Sequence, residues 1–206
     1  MAQYNDKQLV ILESVIRLME EGVDLRDLKA ADIAEAAGIG KGTLYLYFSS
    51  KEDIILQALL HRLDVQVKQV VGRVAEKERF REKCLVILRF CRGVSAGDAS
   101  AFRLAMKAIG SLEPSRILEE GKAFLQQRER DIARALLEVA RCGKEEGVIA
   151  PPEDAAYTLL VFNSVIQGVY HAGCSGAYAD GEKLEEDAYT LLVRALNESG
   201  NKNGIE

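Results

Sequence analysis

Apolar positions in the first third of the chain recur three and four residues apart, the spacing of an amphipathic helix. Leu12, Val15, Ile16 and Met19 form one such stripe, which predicts a helix from Asp6 to Glu21 that stops at Gly22. Ile33, Ala34, Ala37, Ile39, Leu44 and Phe48 then close a small core between two short helices. Gly38 marks their turn, because glycine takes a left-handed conformation without steric cost. Ser49-Ser50-Lys51-Glu52 reads as a capping box for a fourth helix. Ile54, Ile55, Ala58, Leu59, Leu63 and Val67 carry that helix to about Glu78, too far to serve a small head alone. Further helices are expected near Phe80 to Gly93, Ala99 to Ser111, Pro114 to Glu146, Pro152 to Ala172 and Glu182 to Glu198, with Gly, Ser or Pro at the junctions. No convincing run of alternating strands competes with them. The expected fold is all-α: a three-helix helix-turn-helix head over residues 1–50, followed by a helical bundle over residues 51–206, about nine helices together.

At about 100° per residue the second motif helix turns Leu44 and Phe48 to one side, and Gly42, Thr43, Tyr45 and Leu46 largely to the other. Such a small, hydroxylated and aromatic face fits a major groove of about 12 Å. There Thr43 and Tyr45 can reach base edges or phosphates, and Leu46 a thymine methyl. Lys41 stands at the start of this helix and suits a phosphate. The free N–H groups of the fourth helix, with Lys51, form a second anion site.

The stretch Ala31 to Asp53, and GIGKGTLYLYFSSKE above all, resembles the DNA-binding domain of the TetR family of transcriptional repressors. Ile33-Ala34, Ala37-Gly38, Gly42 to Tyr45, Tyr47-Phe48 and Lys51-Glu52 match the family pattern, and the resemblance adds Tyr47 to the DNA-contacting set. Two positions depart from it. Ala30 and Ala31 stand where Thr or Ser is frequent, so Lys29 is the nearby phosphate contact, and Asp27 or Asp32 takes the capping role. Gly40 stands where Ser is frequent. The resemblance implies a homodimer formed by the last two helices, a palindromic operator and a small-molecule inducer bound in the body.

Composition narrows the choice of function. The chain has 206 residues, 48% of them hydrophobic, and a net charge of −5. That balance argues against indiscriminate coating of nucleic acid, which needs a broad basic surface. Between Gly40 and Lys51, however, there are two lysines and no acid, so positive charge gathers at the reading face. No uncharged span long enough for a membrane helix stands out, and the N-terminus lacks a signal-peptide pattern, so a cytoplasmic protein without membrane contact is expected. Cys84, Cys91, Cys142 and Cys174 are scattered and read as buried thiols. His171 and Cys174 stand three apart without a second pair, so no metal and no cofactor are expected.

The segment Ala155 to Tyr170 is apolar nearly all round, and Leu184, Ala188, Leu191, Leu192 and Ala195 stripe the last helix. The two fit half of a four-helix interface, or cover for the core of their own subunit; the resemblance favours the first. Phe90, Phe102, Met106, Phe124, Tyr157, Phe162, Asn163, Gln167, Tyr170 and His171 supply the aromatic and polar mixture of a ligand pocket. Asn163, Gln167 and His171 share one stripe at i, i+4 and i+8, which suits a ligand and a polar seam between subunits equally. Neither His61 nor His171 has a nucleophile or acid at a recognisable catalytic spacing, so an enzyme is not expected. The reading is a ligand-responsive regulator, with a repressor as the default. The alternative is a helical interaction protein of the same fold that has lost DNA binding.

Overall fold

The computed structural model of the chain describes residues 4–25, 27–93, 116–151 and 153–197, with 116–120 described by backbone alone. Among these residues it is all-helical: α1 (Asp6–Glu20), α2 (Ala30–Ala36), α3 (Lys41–Leu44), α4 (Lys51–Ala75), α5 (Phe80–Gly93), α6 (Arg116–Glu145), α7 (Ala155–Ser175) and α8 (Gly181–Asn197). The helix expected near Ala99 to Ser111 lies outside the described residues. None of the described helices is long and apolar enough to cross a membrane. The chain divides into two compact units, Met1–Gln66 with Ala96–Arg128, and Val67–Ser95 with Glu129–Glu206.

The first unit is built on the helix-turn-helix. Asn5 caps α1 by accepting the Gln8 N–H at 2.9 Å, while Gln8 Oε1 accepts the Asn5 N–H at 3.0 Å. That exchange satisfies two of the orphan donors at a helix start. Gly22, at φ +90°, ends α1 where the sequence places its stop. Leu12, Val15, Ile33, Leu44, Phe48 and Ile54 form the core, with Ile16, Met19, Ala37 and Ile39 half-buried around it. Arg17 reaches from α1 to the last turn of α2 and donates to the Ala36 carbonyl at 2.6 Å, a cation placed on the negative end of a helix. Nothing in the spacing of Arg17 announces this contact.

The cap of α4 sits one residue later than the sequence suggests. Ser50 Oγ accepts the Asp53 N–H at 3.0 Å, and Asp53 accepts both the backbone N–H and the hydroxyl of Ser49 at 2.9 and 3.0 Å. The helix N–H that is capped is therefore that of Asp53, by Ser50, while the Asp53 carboxylate reaches back to Ser49, in place of a Ser49–Glu52 box. Two serines followed by two acids make both registers locally sound, and the buried position of Asp53 decides between them. Further along the first unit, Leu56 and Leu60 pack with Phe124 and Leu125. Arg128 bonds the buried Asp64 at 2.9 Å while lying over the Phe124 ring.

The second unit packs α5 against α7 and α8, and α7 against α8. Phe80 is its largest fully buried side chain. It lies so close to Gly143 that a Cβ there would stand 2.7 Å from the ring, which explains a glycine inside α6. Glu146 accepts the Phe80 N–H at 2.7 Å and so satisfies the start of α5. Asp154 caps α7, which runs past the expected end at Ala172 to Ser175 and closes on left-handed Gly176. On α8 the inward stripe is Leu184, Glu185, Ala188, Leu192 and Leu196. Leu191, part of the expected apolar stripe, is 57% exposed on this chain. Glu185 takes an inward place because Arg89 and Arg92 bond its two oxygens at 2.8 and 2.9 Å, which offsets the cost of burying a carboxylate.

Candidate nucleic-acid interface

The turn between α2 and α3 sets the geometry of the reading face. Gly38 at φ +68° lets the chain reverse, and Ile39 donates back to Ala34 at 3.0 Å. Helix α3 is one turn long, yet Tyr47 and Phe48 both donate to the Leu44 carbonyl, so helical turns continue to Phe48. Leu44 is fully buried and Phe48 nearly so, while Tyr45 is 47% and Leu46 80% exposed. Gly42 is exposed and Thr43 and Tyr47 are half-buried. The two sides of α3 are thus occupied as the helical period predicts.

The three expected lysines lie at helix starts. Lys41 opens α3 and is exposed, and Lys29 is exposed immediately before α2. The Lys29 backbone N–H is held by the Asp32 carboxylate at 2.8 Å. The Asp32 carboxylate thus ties down the residue before α2, and buried Ala30 serves the core. Lys51, at the start of α4, is half-buried and lies 3.7 Å from Glu52, a loose pair that a phosphate would compete for.

One contact in this unit has no signal in the sequence. Tyr4, before α1, donates its hydroxyl to Gln57 on α4 at 2.6 Å and sets its ring edge-on to His61 at 5.8 Å. Burial, aided by the charges of Asp53 and Asp64, pushes the Tyr4 phenol up to about 12. The group stays a neutral donor and ties the N-terminal segment to α4.

The residues proposed for a ligand divide. Phe162 is buried in the second unit, and Phe90, Tyr157 and Tyr170 are half-buried there. Tyr157 spends its hydroxyl on the Ala195 carbonyl at 3.1 Å. Phe124 is half-buried in the first unit, beneath Arg128. Asn163, Gln167 and His171 lie on the exposed side of α7, beside Leu160 at 61% exposure, and do not face the core of their own unit. Phe102 and Met106 lie outside the described residues. An apolar crevice in the second unit, lined by Cys84, Ile87, Leu88, Phe162, Val165, Ile166 and Leu192, contains Phe162 of this set. Of the cysteines, Cys84 is buried, Cys91 and Cys142 are half-buried, and Cys174, expected inside, is exposed. Burial raises the thiols of Cys84 and Cys91, the latter to about 11, so both are poor nucleophiles.

A buried inner side, an uncovered aromatic and aliphatic outer side, and lysines at the helix starts define a helix-turn-helix DNA-binding protein. Residues 11–58 match the family of bacterial regulatory proteins, tetR family. The fatty acid metabolism regulator protein of Bacillus subtilis (strain 168) is 24% identical over 148 residues, 72% of this chain and 71% of its own length. An HTH-type transcriptional regulator of Staphylococcus aureus (strain MRSA252) is 37% identical over 90 residues, 42% of this chain and 46% of that protein. In fold, the crystal structure of the transcriptional regulator FadR from Bacillus subtilis in complex with stearoyl-CoA matches with a TM-score of 0.64. That match covers 92% of this chain and 99% of the other, at 19% identity. The family match thus covers the N-terminal region of the chain, and the relatives and solved structures that the chain resembles are transcriptional regulators.

Proposed function

We propose that this chain is a repressor that binds a palindromic operator as a homodimer and leaves it when a small molecule occupies the body. The observation that carries the reading is the outward side of α3: Tyr45 and Leu46 uncovered on a turn whose Leu44 and Phe48 are sealed in the core. In this reading Thr43, Tyr45, Leu46 and Gly42 meet the groove, and Lys29, Lys41, Tyr47 and Lys51 meet phosphates. Residues 1–50 act as the reading head and residues 51–206 as the ligand-binding and dimerising body.

The dimer forms through α7 and α8. Support comes from Leu160 and Leu191, two large apolar side chains left in water on the last two helices. Asn163, Gln167 and His171 share the exposed side of α7 with Leu160, and so make the polar seam of that contact. Gly168 on the same side leaves room for a neighbouring backbone, since nothing lies within 4 Å of where its Cβ would be. A twofold axis then sets two α3 surfaces about one DNA turn apart, roughly 34 Å.

The ligand is a molecule with a long apolar part. Support comes from the stearoyl-CoA found with the FadR neighbour and the fatty acid metabolism role in the relative's name. Phe90, Tyr157, Phe162 and Tyr170 are the proposed apolar lining in the second unit. Binding shifts the population toward a body shape that holds the heads at a spacing unsuited to DNA. A coupling of about 1–3 kcal/mol weakens operator binding roughly 5- to 150-fold. The test is retention of labelled host-genome fragments, first alone and then with stearoyl-CoA added. Selective retention of a palindromic fragment and its release by stearoyl-CoA are expected. No retained fragment at low salt contradicts the regulator and favours a helical interaction protein; retention that stearoyl-CoA leaves unchanged contradicts the proposed ligand class.

A further inference from the structure

Leu46 stands free of its own protein. At 80% exposure it is the least covered large apolar side chain among the described residues, more so than Leu160 or Leu191. One turn earlier Gly42 offers no side chain to lean on, and nothing lies within 4 Å of where a Cβ would be. The Leu46 N–H is already used on the Thr43 carbonyl, and the side chain has neither donor nor acceptor. Whatever it meets, it meets by losing water from an aliphatic surface.

This feature rests on the reading of α3 as the DNA-facing element and makes it more specific. Along the base edges of the major groove, donors and acceptors distinguish most pairs, and the one apolar group on offer is the C5-methyl of thymine. A leucine at the crest of a groove-entering helix cannot score the hydrogen-bonding pattern, but it can score that methyl. We propose that Leu46 is a specificity-determining residue that reads one thymine methyl in each half-site. It separates thymine from bases that lack a C5-methyl, while Thr43 and Tyr45 supply the polar contacts.

The test removes the methyl and nothing else. Full-length protein first selects a duplex from a randomised pool, and each thymine of that duplex is then replaced in turn by deoxyuridine. Dissociation constants are measured for the wild type and for Leu46→Ala, whose melting temperature is expected to be unchanged. At one thymine per half-site, uracil should weaken the wild type about fourfold, and about fifteenfold when both half-sites carry it, as burial of one methyl predicts. Leu46→Ala should show no further loss at that position, and 5-methylcytosine there should cost less than unmethylated cytosine. A wild type indifferent to uracil at every thymine overturns the proposal. So does a Leu46→Ala variant that keeps the uracil penalty or weakens on all duplexes alike, the mark of a sugar-phosphate contact. If the pool yields no enriched duplex, DNA reading itself fails and this inference falls with it; an enriched duplex with a flat uracil scan removes only the role of Leu46.

Discussion

Helices α3 and α7 each leave a leucine in water, Leu46 on one and Leu160 on the other, but different surroundings make them surfaces for different partners. Around Leu46 lie Tyr45, Gly42 and the lysine that opens α3, with no acid between Gly40 and Lys51. Such a face suits a polyanion whose bases offer a few apolar groups. Around Leu160 lie Asn163, Ser164, Gln167 and Gly168, uncharged and small enough for a second helix to approach closely. Exposure alone therefore does not name a partner; the charge and size of the neighbours do.

The largest effects are expected inside the first unit. Phe48→Ala should destabilise the first unit by about 3–5 kcal/mol, because Phe48 closes its core, whereas Leu46→Ala should leave the melting temperature unchanged. Equal melting temperatures for both variants would mean that the sides of α3 are reversed. In the second unit Gly143→Ala should cost about 1–3 kcal/mol, since the new methyl meets the fully buried Phe80 ring. Thermal unfolding by circular dichroism reads both, and an unaltered Gly143→Ala curve would deny the close packing of α5 on α6.

Partner choice is tested at Leu160. Leu160→Glu should leave helix content intact and weaken dimerisation by at least about tenfold, since it puts a charge into the apolar surface proposed for the dimer contact. Light scattering against concentration measures it, and an undisturbed dimer would move the seam elsewhere. The smallest effect is expected from Lys41→Ala, which should weaken all DNA sequences alike and lower the salt slope by about 1 for each phosphate that the lysine neutralises. A slope that does not change would mean that Lys41 faces solvent in the complex.

The same contrast explains what the sequence could disclose. In the head, core and reading residues lie within a few turns of one another, so helical spacing alone separates Leu44 and Phe48 from Tyr45 and Leu46. In α7 nearly every position is apolar, and spacing places Asn163, Gln167 and His171 on one stripe without saying which way it points. The packing of Val161, Phe162, Val165 and Val169 turns that stripe outward. On α8 one buried position is hidden from spacing for a related reason. Glu185 looks like a surface residue until Arg89 and Arg92, more than ninety positions earlier, are known to bond it. The shift of the α4 cap from Ser49 to Ser50 is a smaller case, decided by the burial of Asp53 rather than by local propensity.

If the outer side of α3 touches DNA while the inner side holds the head together, Tyr45→Ala separates the two roles. With a duplex selected by the full-length wild type, the variant should keep its melting temperature and bind roughly a hundredfold more weakly, from about 1.5 kcal/mol given up in each of two subunits. A Tyr45→Ala protein that holds the same duplex as tightly as the wild type would contradict the account.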